Sequence, residues 1–175
     1  RLERRSSDRK GITEAKNAGY LIKKNNIKFD KIFSSVLERA NKTAEIVIKA
    51  AEMNDFLNNN ELVYTRNKSL NERDYGDLVG LNKSETAEKF GKDQVHVWRR
   101  SYDTPPPNGE SLKDVVDRVS PYFSEEIEPL INENKNILIA AHGNSLRAIM
   151  IKVGLYKPEE ISSIELPTGS PLCLE

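Results

Sequence analysis

Residues 136–150 read NILIAAHGNSLRAIM, an apolar run that stops at His142 and is followed by Gly143, Asn144 and Ser145. The apolar residues after them have helical spacing, so the segment predicts a buried strand, a tight turn and a helix. The N–H groups at the start of such a helix suit an anion. His142 on this turn could therefore hold or transfer a phosphoryl group. The alternative is a purely structural role, as a buried histidine bonded to a carbonyl.

Length and composition limit the possible classes of protein. The chain has 175 residues, with 27 basic and 27 acidic side chains, so no net charge favours a nucleic acid or a membrane as partner. No apolar run approaches the ~20 residues of a membrane span. The single cysteine, Cys173, cannot form an internal disulfide and is expected to be a small apolar residue in a terminal strand. These features predict one domain of a cytoplasmic protein.

Strands alternate with long helices along the rest of the chain. This pattern predicts an α/β fold, a three-layer sandwich with a mostly parallel sheet and helices on both faces. The predicted strands are 28–33, 61–65, 136–141 and a final one at 172–174. The predicted helices are 12–24, 36–53 with Ser34 or Ser35 as N-cap, 84–90, one ending at 95–102, 112–131 divided at Pro121 and Pro129, one after 145, and 158–161, while residues 1–10 are expected to form a tail.

Several charged residues at turns and in loops indicate a pocket for a small, highly charged anion. The candidate cations are Arg39, Lys83, Arg99 and Arg100. An arginine guanidinium binds two oxygens of a phosphate or carboxylate at once, whereas a lysine ammonium acts as a point charge. Glu72 among such cations makes better sense as a proton donor and acceptor. An ordinary solvated side chain is the alternative for Arg39. No metal site is predicted, because the two histidines are far apart and cysteines are not grouped.

His96 stands between two valines, just before the only tryptophan of the chain. We expect it on a helix surface or in packing rather than in catalysis. That leaves His142 as the histidine of the predicted pocket.

Four segments resemble a known family. They are LNERDYGDL at 70–78, GLNK at 80–83, WRRSYD at 98–103 and AAHGNSLR at 140–147. Together they are similar to the cofactor-dependent phosphoglycerate mutases of the histidine phosphatase superfamily, over the range from about Lys10 to the C-terminus. The histidine segment alone would indicate only the superfamily. The short PNGES passage at 107–111 resembles the compact members.

The resemblance implies interconversion of 3-phosphoglycerate and 2-phosphoglycerate, in glycolysis and gluconeogenesis, through a phosphohistidine primed by 2,3-bisphosphoglycerate and without a metal. Glu72 matches the proton donor and acceptor, His142 the residue that stabilises the transferring phosphoryl group, and Arg39 the arginine that binds it. A homodimer or homotetramer is also implied. The substrate contacts implied in this way are Arg39, Glu72, Arg73, Asp74, Tyr75, Lys83, Arg99, Arg100, Gly143 and Asn144.

One family feature has no counterpart in the sequence. The nucleophilic histidine of the family follows an early strand in an Arg-His-Gly segment, and the only histidines here, His96 and His142, do not match it. We therefore expect residues 1–175 to be a single mutase-like domain without its first strand and the end of its C-terminal region, inactive by itself. The alternatives are a histidine phosphatase, a bisphosphoglycerate mutase, or a catalytically dead anion-binding domain.

Overall fold

A computed structural model describes residues 2–175, with side chains from Asp8 onward. The α-helices are α1 (Leu2–Lys24), α2 (Glu38–Ala50), α3 (Lys83–Phe90), α4 (Lys92–Arg100), α5 (Leu112–Tyr122), α6 (Glu128–Asn132), α7 (Gly143–Lys152) and α8 (Pro158–Ile161). The strands are β1 (Lys31–Ser34), β2 (Leu57–Asn58), β3 (Glu61–Leu62), β4 (Thr65–Arg66) and β5 (Ile137–Ala140). Short 3-10 turns occupy Asn54–Phe56, Lys68–Leu70 and Gly76–Leu78.

The chain forms two compact units. The first comprises the residues up to Leu70, Ile127–Ala141 and Leu166–Glu175, and the second comprises Asn71–Glu126 and His142–Glu165. The single-domain organisation stays a prediction. None of the helices in the described part of the chain has the length and apolar character needed to cross a membrane.

The first unit contains a parallel sheet with the strand order β4-β1-β5. Phe33 at the centre of β1 is fully buried and lies opposite Thr65 on one side and Ile139 on the other. Helix α2 packs against the sheet and against α1, with small and branched apolar side chains between the two helices. This arrangement confirms the predicted α/β class with a parallel sheet, and the covering of both faces stays a prediction.

Helices α5 and α7 pack together to form the centre of the second unit. Each places apolar residues in the interior, among them Val115 and Val119 of α5 and Ala148 and Ile149 of α7. Helices α3 and α4 form a smaller cluster, in which the rings of Phe90 and Trp98 meet edge to face with centroids 5.2 Å apart. Helix α7, which follows the predicted turn, is therefore packed against α5.

The predicted helix starts in the first unit are partly wrong. Helix α1 begins at Leu2, so the segment expected to be a tail is helical from that residue. Helix α2 begins at Glu38 with Leu37 as its N-cap, and neither Ser34 nor Ser35 caps it. The reason is that β1 extends to Ser34, and the Ser35 hydroxyl accepts the Leu37 N–H at 3.2 Å instead.

The predicted strand at 61–65 is two separate strands. Glu61–Leu62 pairs antiparallel with Leu57–Asn58, and Thr65–Arg66 joins the parallel sheet. Asn59 and Asn60 both have positive φ, 51° and 65°, as a two-residue hairpin turn requires. This turn directs residues 61–62 back onto β2, so the first part of the predicted strand belongs to a hairpin and only Thr65–Arg66 joins the parallel sheet.

The predicted final strand at 172–174 is not formed, and Cys173 is exposed rather than packed. Pro167 and Pro171 lack N–H donors in this region and Gly169 has a φ of 72°, so the local sequence opposes a regular ladder. The predicted division of 112–131 is confirmed at Pro129, whereas Pro121 lies inside α5. Helix α5 ends at Tyr122, a π-helical turn follows, and Pro129 lies at the start of α6.

Candidate active site

The Glu72 carboxylate lies at the N-terminus of α7. Its Oε1 accepts the N–H of Arg73 at 2.8 Å and the N–H of Asn144 at 3.2 Å. Asn144 is in the first turn of α7, where N–H groups have no partner within the helix and the dipole is positive. The Glu72 carboxylate therefore lies at the anion-binding end of α7, among residues that the sequence predicts to bind an anion.

His142 directly precedes α7 and is buried, with 7% of its surface exposed. Its extended backbone has φ −131° and ψ 164°, and its N–H donates to the Ser145 hydroxyl at 3.0 Å. The Leu146 N–H donates to the His142 carbonyl at 2.8 Å and starts the helix. The predicted strand, turn and helix are thus confirmed, and His142 is fixed at the helix start.

Gly143 lets the start of α7 approach two charged side chains. A Cβ added at this residue would lie 3.1 Å from Arg147 Nη1 and 4.0 Å from Glu72 Oε2. A histidine, a carboxylate and a guanidinium are therefore gathered around the first turn of one helix. Such a site can bind an anion and exchange a proton with it.

A cavity of about 610 Å³ opens beside this helix start. It presents the guanidinium-bearing residues Arg99, Arg100 and Arg147 together with Tyr75, whose hydroxyl accepts from Asn144 Nδ2 at 3.1 Å. Cationic donors around a cavity of this size suit a small phosphorylated acid. The lining residues are Arg73, Tyr75, Leu78, Val79, Leu81, Arg99, Arg100, Ser101, Tyr102, Leu112, Asn144, Arg147, Pro158, Ile161 and Ser162.

Arg73 lines the cavity, but its guanidinium already has partners. Nε donates to the Glu110 carbonyl at 2.5 Å, Nη2 donates to the Trp98 carbonyl at 2.8 Å, and the residue is 6% exposed. Burial lowers the pKa of Arg73, and the nearby Tyr75 and carboxylates counter only part of that shift. Tyr75 stacks 5.1 Å from the guanidinium carbon. These contacts hold the Glu72 loop in place.

The remaining predicted site residues are more scattered. Asp74 is exposed, and its carboxylate accepts the Gly76 N–H at 2.8 Å. Lys83 is exposed at the first residue of α3 and does not line the cavity. Arg39 is exposed in the first turn of α2, as predicted, and belongs to the first unit. His96 is exposed on α4, which agrees with its predicted surface location.

Sequence reasoning missed Glu110, Arg118 and Arg147. Arg118 and Glu110 form an ion pair with Nε and Oε2 2.7 Å apart, and Arg147 donates to the Ile164 carbonyl at 3.1 Å. Only Arg147 had a local signal, because it follows Gly143 by one helical turn. Among the described residues, no group of three or more potential metal ligands occurs.

The comparison with protein families decides the wider relationship. The family model of the histidine phosphatase superfamily, branch 1, matches residues 8–175. The chain belongs to the histidine phosphatase superfamily. This result confirms the resemblance that the sequence segments indicated.

Within this superfamily, the chain is similar to proteins named 2,3-bisphosphoglycerate-dependent phosphoglycerate mutase. The one from Parvibaculum lavamentivorans is 46% identical over 165 residues, which cover 94% of this chain and 76% of that protein. The one from Xanthobacter autotrophicus is 49% identical over 162 residues, which cover 93% of this chain and 75% of that protein. The predicted relationship to the mutases is therefore confirmed.

Solved superfamily structures share the fold at lower identity. A mycobacterial glucosyl-3-phosphoglycerate phosphatase matches with a TM-score of 0.69 and 23% identity, over 88% of this chain and 72% of that chain. The α-ribazole phosphatase from Shigella flexneri matches with a TM-score of 0.68 and 24% identity, over 91% of this chain and 73% of that chain. Their likeness concerns the fold alone.

Proposed function

We propose that the protein containing these residues is a phosphoglycerate mutase that interconverts 3-phosphoglycerate and 2-phosphoglycerate with 2,3-bisphosphoglycerate as primer. One observation carries the proposal: the Glu72 carboxylate is fixed at the first turn of α7, the helix that buried His142 directly precedes. The relatives named as mutases support it, with 46% and 49% identity over nearly the whole chain.

Glu72 supplies the proton step of the transfer. A phosphoryl group moves from a phosphohistidine to a substrate hydroxyl, so the N–P bond breaks while an O–P bond forms. The hydroxyl proton goes to the Glu72 carboxylate and returns when the group is transferred back. Since Oε1 already accepts two backbone N–H groups, we assign the proton to Oε2.

The cations and His142 stabilise charge on the phosphoryl group and on the substrate. Phosphoryl transfer depends mostly on alignment and on charge stabilisation, which fixed donors provide. Arg99 and Arg100 bind the anionic groups of the substrate from the cavity, with Tyr75 and Asn144 beside them. The roles of Arg39 on the transferring phosphate, of Lys83, and of the Gly143 backbone are further parts of the proposal.

The phosphohistidine itself needs a nucleophile at a position that neither His96 nor His142 occupies. We therefore expect the 175-residue chain to bind phosphoglycerates without turning them over, and we assign turnover to the full-length gene product. A cytoplasmic location and a homodimer or homotetramer belong to the same proposal.

A carboxamide at residue 72 tests the proposal. The full-length protein should convert 3-phosphoglycerate to 2-phosphoglycerate, followed by 31P NMR, and should need only catalytic amounts of 2,3-bisphosphoglycerate. Glu72→Gln should lower kcat by about 10²–10⁴-fold, because a carboxamide cannot exchange the proton. Glu88→Gln is the matched control, since Glu88 is exposed on α3 and does not line the cavity.

Two outcomes would overturn this assignment. Release of inorganic phosphate as the main product, with little 2-phosphoglycerate formed, would make the protein a phosphatase. Turnover by Glu72→Gln at the rate of the Glu88→Gln control would remove Glu72 from the proton step.

A further inference from the structure

An ion pair between Arg118 of α5 and Glu110, which precedes that helix, lies beside the loop that carries Glu72. Arg118 Nε donates to Glu110 Oε2 at 2.7 Å, and Nη2 donates to Oε1 at 3.1 Å. Two such bonds fix the planar guanidinium against the carboxylate. Both side chains are 25% exposed, so water screens this pair less than a surface pair.

Both members of this pair also bind the backbone on either side of Glu72. Arg118 Nη2 donates to the carbonyls of Asn71 at 3.0 Å and Glu72 at 3.1 Å. Glu110 Oε1 accepts the Asp74 N–H at 2.9 Å, and the Glu110 N–H donates to the Asp74 carbonyl at 2.7 Å. The backbone is thus bound by hydrogen bonds at Asn71 and Glu72 on one side of the loop and at Asp74 on the other.

The Glu110 carboxylate stays ionised despite its partial burial. Burial by itself raises the pKa of Glu110, but the hydrogen bonds from Arg118 and from the Asp74 N–H outweigh burial, so the pKa lies below its usual value. A carboxylate is therefore present at neutral pH to hold the guanidinium in its orientation.

Arg118 links the Glu72 loop to the helix pair that contains the N–H partner of the Glu72 carboxylate. Arg118 belongs to α5, and α5 packs against α7. The Asn144 N–H of α7 is a partner of the Glu72 carboxylate. A residue that anchors the loop to α5 therefore sets where the carboxylate lies relative to the first turn of α7.

We propose that Arg118, oriented by Glu110, is a positioning residue that fixes Glu72 for proton transfer. The inference rests on the proposed function, because it gives Glu72 its task. The pair binds the loop backbone, whereas substrate is bound by the cavity arginines. Loss of Arg118 should therefore lower kcat and leave KM nearly unchanged.

Arg118→Lys in the full-length protein, to which turnover is assigned, is the informative variant. Lysine keeps the positive charge but cannot present the planar fork that reaches Glu110 and the two carbonyls together. We expect kcat to fall by on the order of 10–100-fold, because small displacements of a catalytic group cost that much. KM should stay within about twofold, because ground-state binding is unchanged.

Lys113→Met is the matched control. Lys113 lies on the same helix, in an exposed ion pair with Asp117 at 2.9 Å, and this variant should keep the wild-type kcat. In a Glu72→Gln background, Arg118→Lys should lower kcat by less than about twofold, because the group that it positions is already inactive. Millimolar guanidinium should restore part of the kcat of Arg118→Ala.

Amide proton exchange supplies a readout that does not need turnover. The N–H groups of Arg73 and Asn144 bind the Glu72 carboxylate, so both should exchange about tenfold faster in Arg118→Lys than in Lys113→Met. This test applies even if the wild-type protein shows no mutase activity, an outcome that would reject only the proposed function.

Three results would overturn the positioning role. The first is a wild-type kcat for Arg118→Lys while Glu72→Gln is inactive. The second is a fall in melting temperature with kcat and KM changed together and no rescue by guanidinium. The third is unchanged exchange at Arg73 and Asn144.

Discussion

The Glu72 loop and the arginines at the end of α4 present opposite charges and are held very differently. Glu72 has both its carboxylate and its flanking backbone bound by hydrogen bonds from α5 and α7. Arg99 and Arg100 are exposed, and Arg100 Nη1 reaches the Ser162 carbonyl only at 3.3 Å. A proton transfer requires a fixed distance, whereas attraction between charges extends over several ångströms.

This difference separates two kinds of contribution to the reaction. A disturbance of the loop should change the rate of the chemical step, because it displaces the group that exchanges the proton. A disturbance of the arginines should change binding, because they can adjust to the substrate and act through their charge.

The largest effect is expected on folding, from Gly76→Ala in the Glu72 loop. Gly76 has a φ of 54°, and a Cβ there would meet the backbone of Pro107, Asn108 and Gly109. We expect a loss of about 3 kcal/mol or more in the free energy of unfolding, measured with urea.

Gly80→Ala is the control for that variant. Gly80 also has a positive φ, 84°, but a Cβ there would meet nothing within 4 Å. Its loss should be only about 1 kcal/mol, from the backbone conformation alone. Equal losses in the two variants would mean that the loop is not held tightly against residues 107–109.

A smaller effect, on binding, is expected from Arg99→Ala and Arg100→Ala. Each should raise KM by about tenfold, because one charge-assisted hydrogen bond is lost, while kcat changes little. Lys92→Ala is the control. Lys92 lies on the same helix, is exposed and does not line the cavity, so its replacement should leave KM unchanged. A fall in kcat with a normal KM would place these arginines with Glu72 in the chemical step.

The smallest effect concerns pH and Glu110. The folded-state pKa of Glu110 is lower than its ordinary value of 4.5, so its ionised form contributes stability that is complete above 4.5 and is lost as the pH falls through the lower folded pKa. Urea unfolding should show that Glu110→Gln is less stable than wild type by about 1 kcal/mol at pH 7. This difference should shrink in acid, and a difference that is constant with pH would contradict the assignment.

Local patterns predicted much of this architecture. The apolar run before His142 and the helical spacing after it are contained within fifteen residues, so periodicity alone identified the strand, turn and helix. The start of α6 at Pro129 was also predictable, because proline is a local signal for a helix start. The prediction of Ser34 or Ser35 as the N-cap of α2 was wrong because pairing with neighbouring strands extends β1 to Ser34.

Long-range contacts could not be predicted from periodicity. Glu72 meets Asn144 across 72 residues, and Arg118 meets the Glu72 carbonyl across 46 residues. The resemblance supplied the first pair of residues as site members, since both match the family. It supplied nothing for Arg118, whose position on α5 reads as an ordinary charged residue on the polar side of a helix.

Calorimetric titration of 3-phosphoglycerate into the 175-residue chain separates binding from chemistry most directly. Glu72→Gln should bind with a Kd within about threefold of wild type, because the carboxylate acts in the transfer rather than in binding. Combined Arg99→Ala and Arg100→Ala should weaken binding by on the order of 100-fold, because two charge-assisted contacts are lost. Wild-type affinity in the double arginine variant, or loss of binding in Glu72→Gln, would contradict the division between a fixed carboxylate and adaptable cations.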